Sequence, residues 1–173
     1  GLLSVDNNKI NLRNINSERL KNKRYMVHVI DKSIGNPYMY MPDIPIDLLT
    51  LEPTINIAEG NYDIIGAKEL FYPNDDYSNV FVAIGTRSAY KRVLNQILKM
   101  TGFLGANINV FADDDVDTDI QWYVDMFKEI RPLFNKITLI YNKAKYIDKD
   151  GSEKPCKDFG VLSRPVKTET VSI

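Results

Sequence analysis

From residue 54 onward, short apolar runs alternate with helical patterns, and that order narrows the accessible folds more than any other feature of the chain. Ile55–Ala58, Asn79–Ile84, Asn107–Ala112 and Lys136–Tyr141 are each of strand length. After the first run, Tyr62, Ile65, Leu70 and Phe71 recur at roughly helical spacing. After the second, Ser88 fits an N-cap for a helix with Val93, Leu94, Ile97 and Leu98 on one face, closing at Gly102. After the third, Asp117 or Thr118 fits a cap, with Ile120, Tyr123, Val124, Phe127 and Ile130 inward and Pro132 as the stop. A βαβαβαβ order with short links predicts an α/β fold, a parallel sheet covered by helices.

The preceding residues read differently. Lys9–Ile15 and Arg24–Ile30 alternate as strands around the polar, turn-rich NINSERLKNK, which predicts a small antiparallel β-rich piece. In residues 31–53, Gly35-Asn36-Pro37 marks a turn and Pro42, Pro45 and Pro53 forbid a long helix. Two units follow: a basic β-rich piece over residues 1–53 and an α/β unit over residues 54–173.

Composition excludes several classes. Hydrophobic residues make up 44% and charged residues 26% of 173 residues, so the chain folds. No apolar run approaches the ~20 residues of a membrane span, and no N-terminal signal is visible. A single cysteine, Cys156, excludes an internal disulfide framework and a multi-cysteine zinc site, and a cytoplasmic setting is expected. Charge is uneven. Residues 1–42 carry seven Lys/Arg against three Asp/Glu, residues 43–125 five against fourteen, and residues 126–173 ten against six. An acidic middle between basic ends fits a cation site flanked by polyanion-binding surfaces, and it also fits ordinary scatter.

The acidic middle has a focus at NINVFADDDVDTD, residues 107–119, where an apolar strand stops on three aspartates. Strand alternation puts Asp113 and Asp115 on one face and Asp114 on the other. Carboxylates that close repel unless a cation or proton separates them, and Mg2+ is the natural occupant. In a parallel sheet the loops at strand C-termini gather at one edge. Glu59 arrives there after the first strand, with Asp63 one helical turn on. Gly85 follows the second strand, where a missing side chain would leave room for a ligand. Lys157-Asp158-Phe159-Gly160 comes after the fourth strand. An EF-hand loop is excluded, because its glycine and glutamate positions hold Thr118 and Val124. A solvated turn with a helix cap explains Asp117 and Asp119, but neither an apolar strand ending on three acids nor Glu59 at the end of another.

These segments resemble a Toprim domain, the unit shared by bacterial-type DNA primases, topoisomerases and several nucleases. INIAEGNYDIIGAKEL is similar to the Toprim glutamate motif, NVFVAIGT to its second strand, and VFADDDVD to its paired-aspartate motif. The phage-type branch of the bacterial primases is closest, since there a basic β-rich piece precedes the Toprim region and a lysine-aspartate motif follows, here Lys157-Asp158. Against that pattern, the cysteines of a zinc-binding module and the helical and helicase-binding regions do not occur here, and Asp117 replaces a usually small residue.

The resemblance implies Mg2+-dependent synthesis of short RNA primers on a single-stranded DNA template from NTPs, with Mn2+ as a substitute ion and no zinc. Glu59, Asp113 and Asp115 would be catalytic. Glu59, Asp63, Asp113, Asp115 and Asp158 would hold the metal directly or through neighbours. Arg13, Lys23, Arg24 and Lys157 would hold template or triphosphate phosphates. A replicative helicase is the implied partner, through regions missing here. Two alternatives stay open: a Mg2+-dependent Toprim nuclease using the same carboxylates, and a nucleic-acid-binding module with a vestigial site. A topoisomerase is disfavoured because none of the ten tyrosines sits in a DNA-gripping domain. His28 and Trp122 read as packing, Cys156 as a free thiol, and Asp148–Gly151 as a hairpin turn.

Overall fold

The computed structural model of the chain describes residues 2–4, 6–13, 25–42, 54–74, 79–101, 105–113 and 116–173; of residues 13, 25, 100–101 and 116–119 only the backbone is described. Three antiparallel strands, β1 (Leu2–Leu3), β2 (Lys9–Arg13) and β3 (Tyr25–Val29), form the N-terminal sheet in that order. The β2–β3 pair matches the sequence expectation; β1 is an addition. The proline-rich connector touches the main sheet through an antiparallel bridge between Tyr40 and Ala83. Asp47–Leu51, read as a helical turn, lies outside the described residues.

The main sheet combines β4 (Thr54–Ala58), β5 (Asn79–Ala83), β6 (Asn107–Ala112), β7 (Lys136–Asn142) and β10 (Thr168–Ser172), in the order β10-β7-β6-β4-β5. The first four are mutually parallel, and β10 returns antiparallel to β7. Between β7 and β10 sits a hairpin, β8 (Lys145–Ile147) and β9 (Glu153–Pro155), turning at Asp148–Gly151 as its sequence suggests.

The connections run outward from β4 to β5, then back across β4 to β6 and on to β7. Right-handed crossovers therefore place the first helix on one face and the next two on the other. The core obeys this. Helix α1 (Asn61–Phe71) covers Ala58, Phe81, Ala83 and Phe111. Helices α2 (Tyr90–Thr101) and α3 (Val116–Phe127) cover Ile55, Ile57, Val82, Ile108, Val110 and Leu139. Strand alternation explains the split: Ile55 and Ile57 of β4 face one way, and Asn56 and Ala58 the other. No described helix is long and apolar enough to cross a membrane.

Several element details differ from the sequence pattern. Helix α1 buries Asn61, Ile64, Gly66 and Ala67, while Tyr62 is 50% exposed, because small residues let the helix lie close to sheet and loop. Ser88 falls inside a 3-10 turn, Arg87–Ala89, whose N-cap position is Thr86, so it does not cap α2. Helix α3 already starts at Val116, so Asp117 and Thr118 lie within it and not at its cap. That helix ends at Phe127, before Pro132, which sits in a separate 3-10 turn, Arg131–Leu133.

Candidate functional site

The reversal of connection direction falls between β4 and β6, the point where open α/β sheets form their crevice. Ala58 pairs with Phe111 in parallel register, so Glu59 and Asp113 leave the sheet from neighbouring strands about 4.8 Å apart. Glu59 is half-buried and Asp113 exposed. The β4 exit is tied to the β5 exit by two backbone bonds. The Ala58 carbonyl accepts from Ile84 N–H at 3.1 Å, and the Glu59 carbonyl from Gly85 N–H at 2.9 Å. Gly85 adopts φ +75°, and a Cβ there would lie 3.0 Å from the Tyr38 ring. The space expected to admit a ligand at Gly85 is therefore filled by Tyr38, and glycine is required by the turn itself.

Asp63 comes from the first turn of α1, where a carboxylate is favoured by the helix N-terminus. Its side chain lies between two glycines: a Cβ on Gly60 would fall 2.2 Å from Oδ2, and one on Gly160 2.7 Å from Oδ1. Burial first, and then the Asp158, Asp113 and Glu59 carboxylates, push the Asp63 carboxyl up to about 7; the Gly160 amide opposes the rise. Both the apolar slot and the negative neighbours disfavour the ionised form.

Asp158 is delivered by packing and not by the sheet. Phe159 is 2% exposed and meets Phe111 edge-on at 5.3 Å and Phe71 at 5.7 Å, while Phe71 stacks on Phe111 at 5.6 Å. Gly66 of α1 makes this possible, since a Cβ there would lie 1.9 Å from the Phe159 carbonyl oxygen. Asn142, buried at the end of β7, staples the same region. Its Nδ2 donates to the Asp158 carbonyl at 3.5 Å and the Pro165 carbonyl at 3.2 Å; its Oδ1 accepts from Ala144 N–H and Lys167 N–H, each at 3.0 Å. The Gly160 amide also donates to Asp158 Oδ1 at 3.3 Å.

Four of the sequence-derived acids, Glu59, Asp63, Asp113 and Asp158, thus share one edge and one electrostatic field. Among the described residues, no group of three or more His, Cys, Asp or Glu side chains is drawn together tightly enough to hold a metal ion. Asp115, Lys23 and Arg24 lie outside the described residues, as does the side chain of Arg13. Lys157 is exposed on the loop that carries Asp158.

Sequence reading missed two residues at this edge. Arg87 follows Gly85 by two positions, and its guanidinium lies over Trp122 at 4.1 Å and Tyr123 at 4.8 Å. Tyr90 is 1% exposed. Burial chiefly, then Tyr123, Glu59 and Asp113, raise its hydroxyl well above the ordinary tyrosine value, and Arg87 opposes this. Tyr90 therefore stands within the field of the two strand-end acids and of Arg87. A cation just past a strand-end glycine is the signal that was available for Arg87. Trp122, read as packing, is 37% exposed beneath it. No family model, curated protein or solved structure matches the chain.

Proposed function

We propose that the chain is a Toprim-type DNA primase core, or part of one, making short RNA primers on single-stranded DNA from NTPs with Mg2+. The observation that carries this reading is the convergence of Glu59 and Asp113 from adjacent parallel strands, joined by Asp63 and Asp158 from elsewhere. The donor set is all hard oxygen, the kind Mg2+ prefers, and burial together with the Asp158, Asp113 and Glu59 carboxylates raises the Asp63 carboxyl to about 7. When bound, Mg2+ would offset phosphate charge and acidify the attacking 3′-hydroxyl. Asp113, with Asp115, would hold the ion. Glu59 would ligate beside them or accept the hydroxyl proton. Asp63 and Asp158 would bound the charge from behind. Arg13, Lys23, Arg24 and Lys157 would hold template or triphosphate phosphates.

The test is primer synthesis by the wild-type chain and Asp113→Ala on single-stranded DNA with NTPs and Mg2+. The variant is expected to lose synthesis while keeping its circular dichroism spectrum, since Asp113 is exposed. Unchanged synthesis by the variant would sink the assignment. Shortening of a labelled strand without NTPs would replace it with the nuclease reading.

A further inference from the structure

The excursion between β7 and β10, residues 143–167, carries seven Lys/Arg against four Asp/Glu. The hairpin acids are already matched within it, Glu153 with Lys145 at 2.7 Å, and Asp148 and Asp150 with Lys154. Four of the other cations are gathered by Asn142. Its side chain bonds the Ala144 and Lys167 amides and the Asp158 and Pro165 carbonyls. Each of those groups belongs to a cation or to the neighbour of one, so Lys143, Lys157, Arg164 and Lys167 leave the backbone around one buried side chain. The Lys143 amide also donates to the Lys167 carbonyl at 2.8 Å. Lys157 and Lys167 are exposed and Arg164 is half-buried. The Arg164 guanidinium lies over the Tyr146 ring at 4.1 Å, which restrains a long side chain while its planar donors stay available. Among the described residues, no carboxylate lies within ion-pair distance of Lys157, Arg164 or Lys167. Like charges gathered in this way repel each other in the free chain, and a polyanion relieves that repulsion. Asp158, next to Lys157, is the largest charged contributor to the raised Asp63 value, so the cluster borders the carboxylate edge.

We propose that the cations gathered round Asn142, with Arg164 braced on Tyr146, form a track for the phosphate backbone of a single-stranded nucleic acid running past the carboxylate edge. The role of that strand as template or product rests on the nucleotidyl-transfer reading. The ability to hold a strand rests on the cation cluster alone. Phosphate contacts of this kind position a strand without reading its sequence.

The full chain is titrated against a fluorescein-labelled oligothymidylate without divalent cations, and anisotropy is followed between about 0.05 and 0.2 M KCl. Affinity should fall linearly on a log–log plot against salt. Each phosphate contact to a single strand contributes about 0.7 to that slope, so Arg164→Gln/Lys167→Gln should lower it by roughly 1.4 and weaken binding at 0.1 M KCl roughly 25-fold. Lys91→Gln/Lys145→Gln removes the same charge from lysines that have carboxylate partners, and its slope should match wild type. An equal fall in both double variants would reduce the effect to net charge and overturn the proposal. So would an unaltered slope in Arg164→Gln/Lys167→Gln, or no strand binding by the wild-type chain. If Arg164→Gln fails to fold, Lys157→Gln/Lys167→Gln carries the same slope test on two exposed side chains. Inorganic triphosphate is the competing phosphate source: a loss of triphosphate affinity with strand affinity intact would assign the cluster to the nucleotide and overturn the track. Displacement of the strand by polyglutamate as readily as by unlabelled oligothymidylate would assign it to an acidic protein instead. In primer synthesis, Arg164→Gln/Lys167→Gln should raise KM for template more than KM for NTP. Strand binding that depends on Arg164 and Lys167, without any primer synthesis by wild type, would sink the primase reading and leave the track standing.

Discussion

Gly66→Ala tests how Asp158 reaches the site. Gly66 lies in the interior of α1, where alanine is favoured over glycine by about 1 kcal/mol. On propensity alone the variant would be more stable. The added Cβ, however, would sit 1.9 Å from the Phe159 oxygen and 2.8 Å from its carbonyl carbon. Both are backbone atoms, so no rotamer change relieves the clash, and the loop must retreat by about 1.5 Å to reach a 3.4 Å contact. Retreat pulls Phe159 from between Phe71 and Phe111. Overpacking costs about 1–3 kcal/mol, and complete loss of a buried Phe about 3–5 kcal/mol. Partial undocking at about 2–4 kcal/mol, less the propensity gain, leaves a net loss of roughly 1–3 kcal/mol. For a chain of this length that is a fall in Tm of roughly 2–12 °C. Asp158 and Gly160 retreat with Phe159, so the Asp63 carboxyl should titrate closer to its ordinary range. Calorimetry reads the first effect and carbon-detected NMR of the Asp63 carboxyl the second. A Tm at or above wild type, with Asp63 titrating as before, would refute the claim that the loop is clamped against α1.

Two further outcomes follow from the same geometry. Asp63 has a folded-state value near 7, raised from 3.8, so the folded chain holds a proton that the unfolded chain has released between those values. Its contribution is thus fully present below about pH 4 and lost as pH rises towards 7; Asp63→Asn should gain up to about 4 kcal/mol on wild type at pH 8 and little at pH 4, read by urea unfolding at both, and a gap independent of pH would sink the assignment. Asn142→Ala removes the acceptor for the Ala144 and Lys167 amides and should cost about 2–3 kcal/mol by the same measurement, whereas a neutral result would mean water replaces the side chain.

The legible parts of the fold were those where one periodicity dominates. Four parallel strands, their intervening helices and the buried stripe of Val93, Leu94 and Ile97 all follow from apolar spacing. Strand β10 was not legible, because TETVS is mostly exposed and pairs along one edge only. In β4 the apolar reading hid Asn56, which is fully buried and bonds Asn79 and Asn109 across neighbouring strands at 3.1 Å each. The face of α1 was misjudged because its contact is made by Gly66 and Ala67, residues that a search for large apolar side chains passes over. Strand order explains the acids that were found: Glu59 and Asp113 end runs that are obvious in sequence. Arg87 stacks on Trp122, and Asn142, besides its local bond to the Ala144 amide, reaches Asp158, Pro165 and Lys167, all at least 16 residues away along the chain, and no local pattern announces such contacts.

The four acids reach one edge by three different forces, and this couples the site to the fold. Sheet register fixes Glu59 and Asp113, a helix start fixes Asp63, and an aromatic cluster with Asn142 fixes Asp158. Only the last is a docking equilibrium, since the 156–160 loop is held by side-chain packing and a few bonds. Its docking brings Asp158 towards Asp63, and Asp158 is the largest charged contributor to the raised Asp63 value. Docking therefore favours proton uptake near neutral pH, and deprotonation of Asp63 favours release of the loop. A divalent cation at the edge, under the proposed function, would supply the positive charge that the proton otherwise supplies, and would do so without the pH limit. Cation binding and loop docking would then reinforce each other by the same free energy in both directions. On this argument Mg2+ should protect the amides of residues 156–160 from hydrogen exchange more strongly at pH 8 than at pH 6, because at the lower pH the proton already does part of the cation's work.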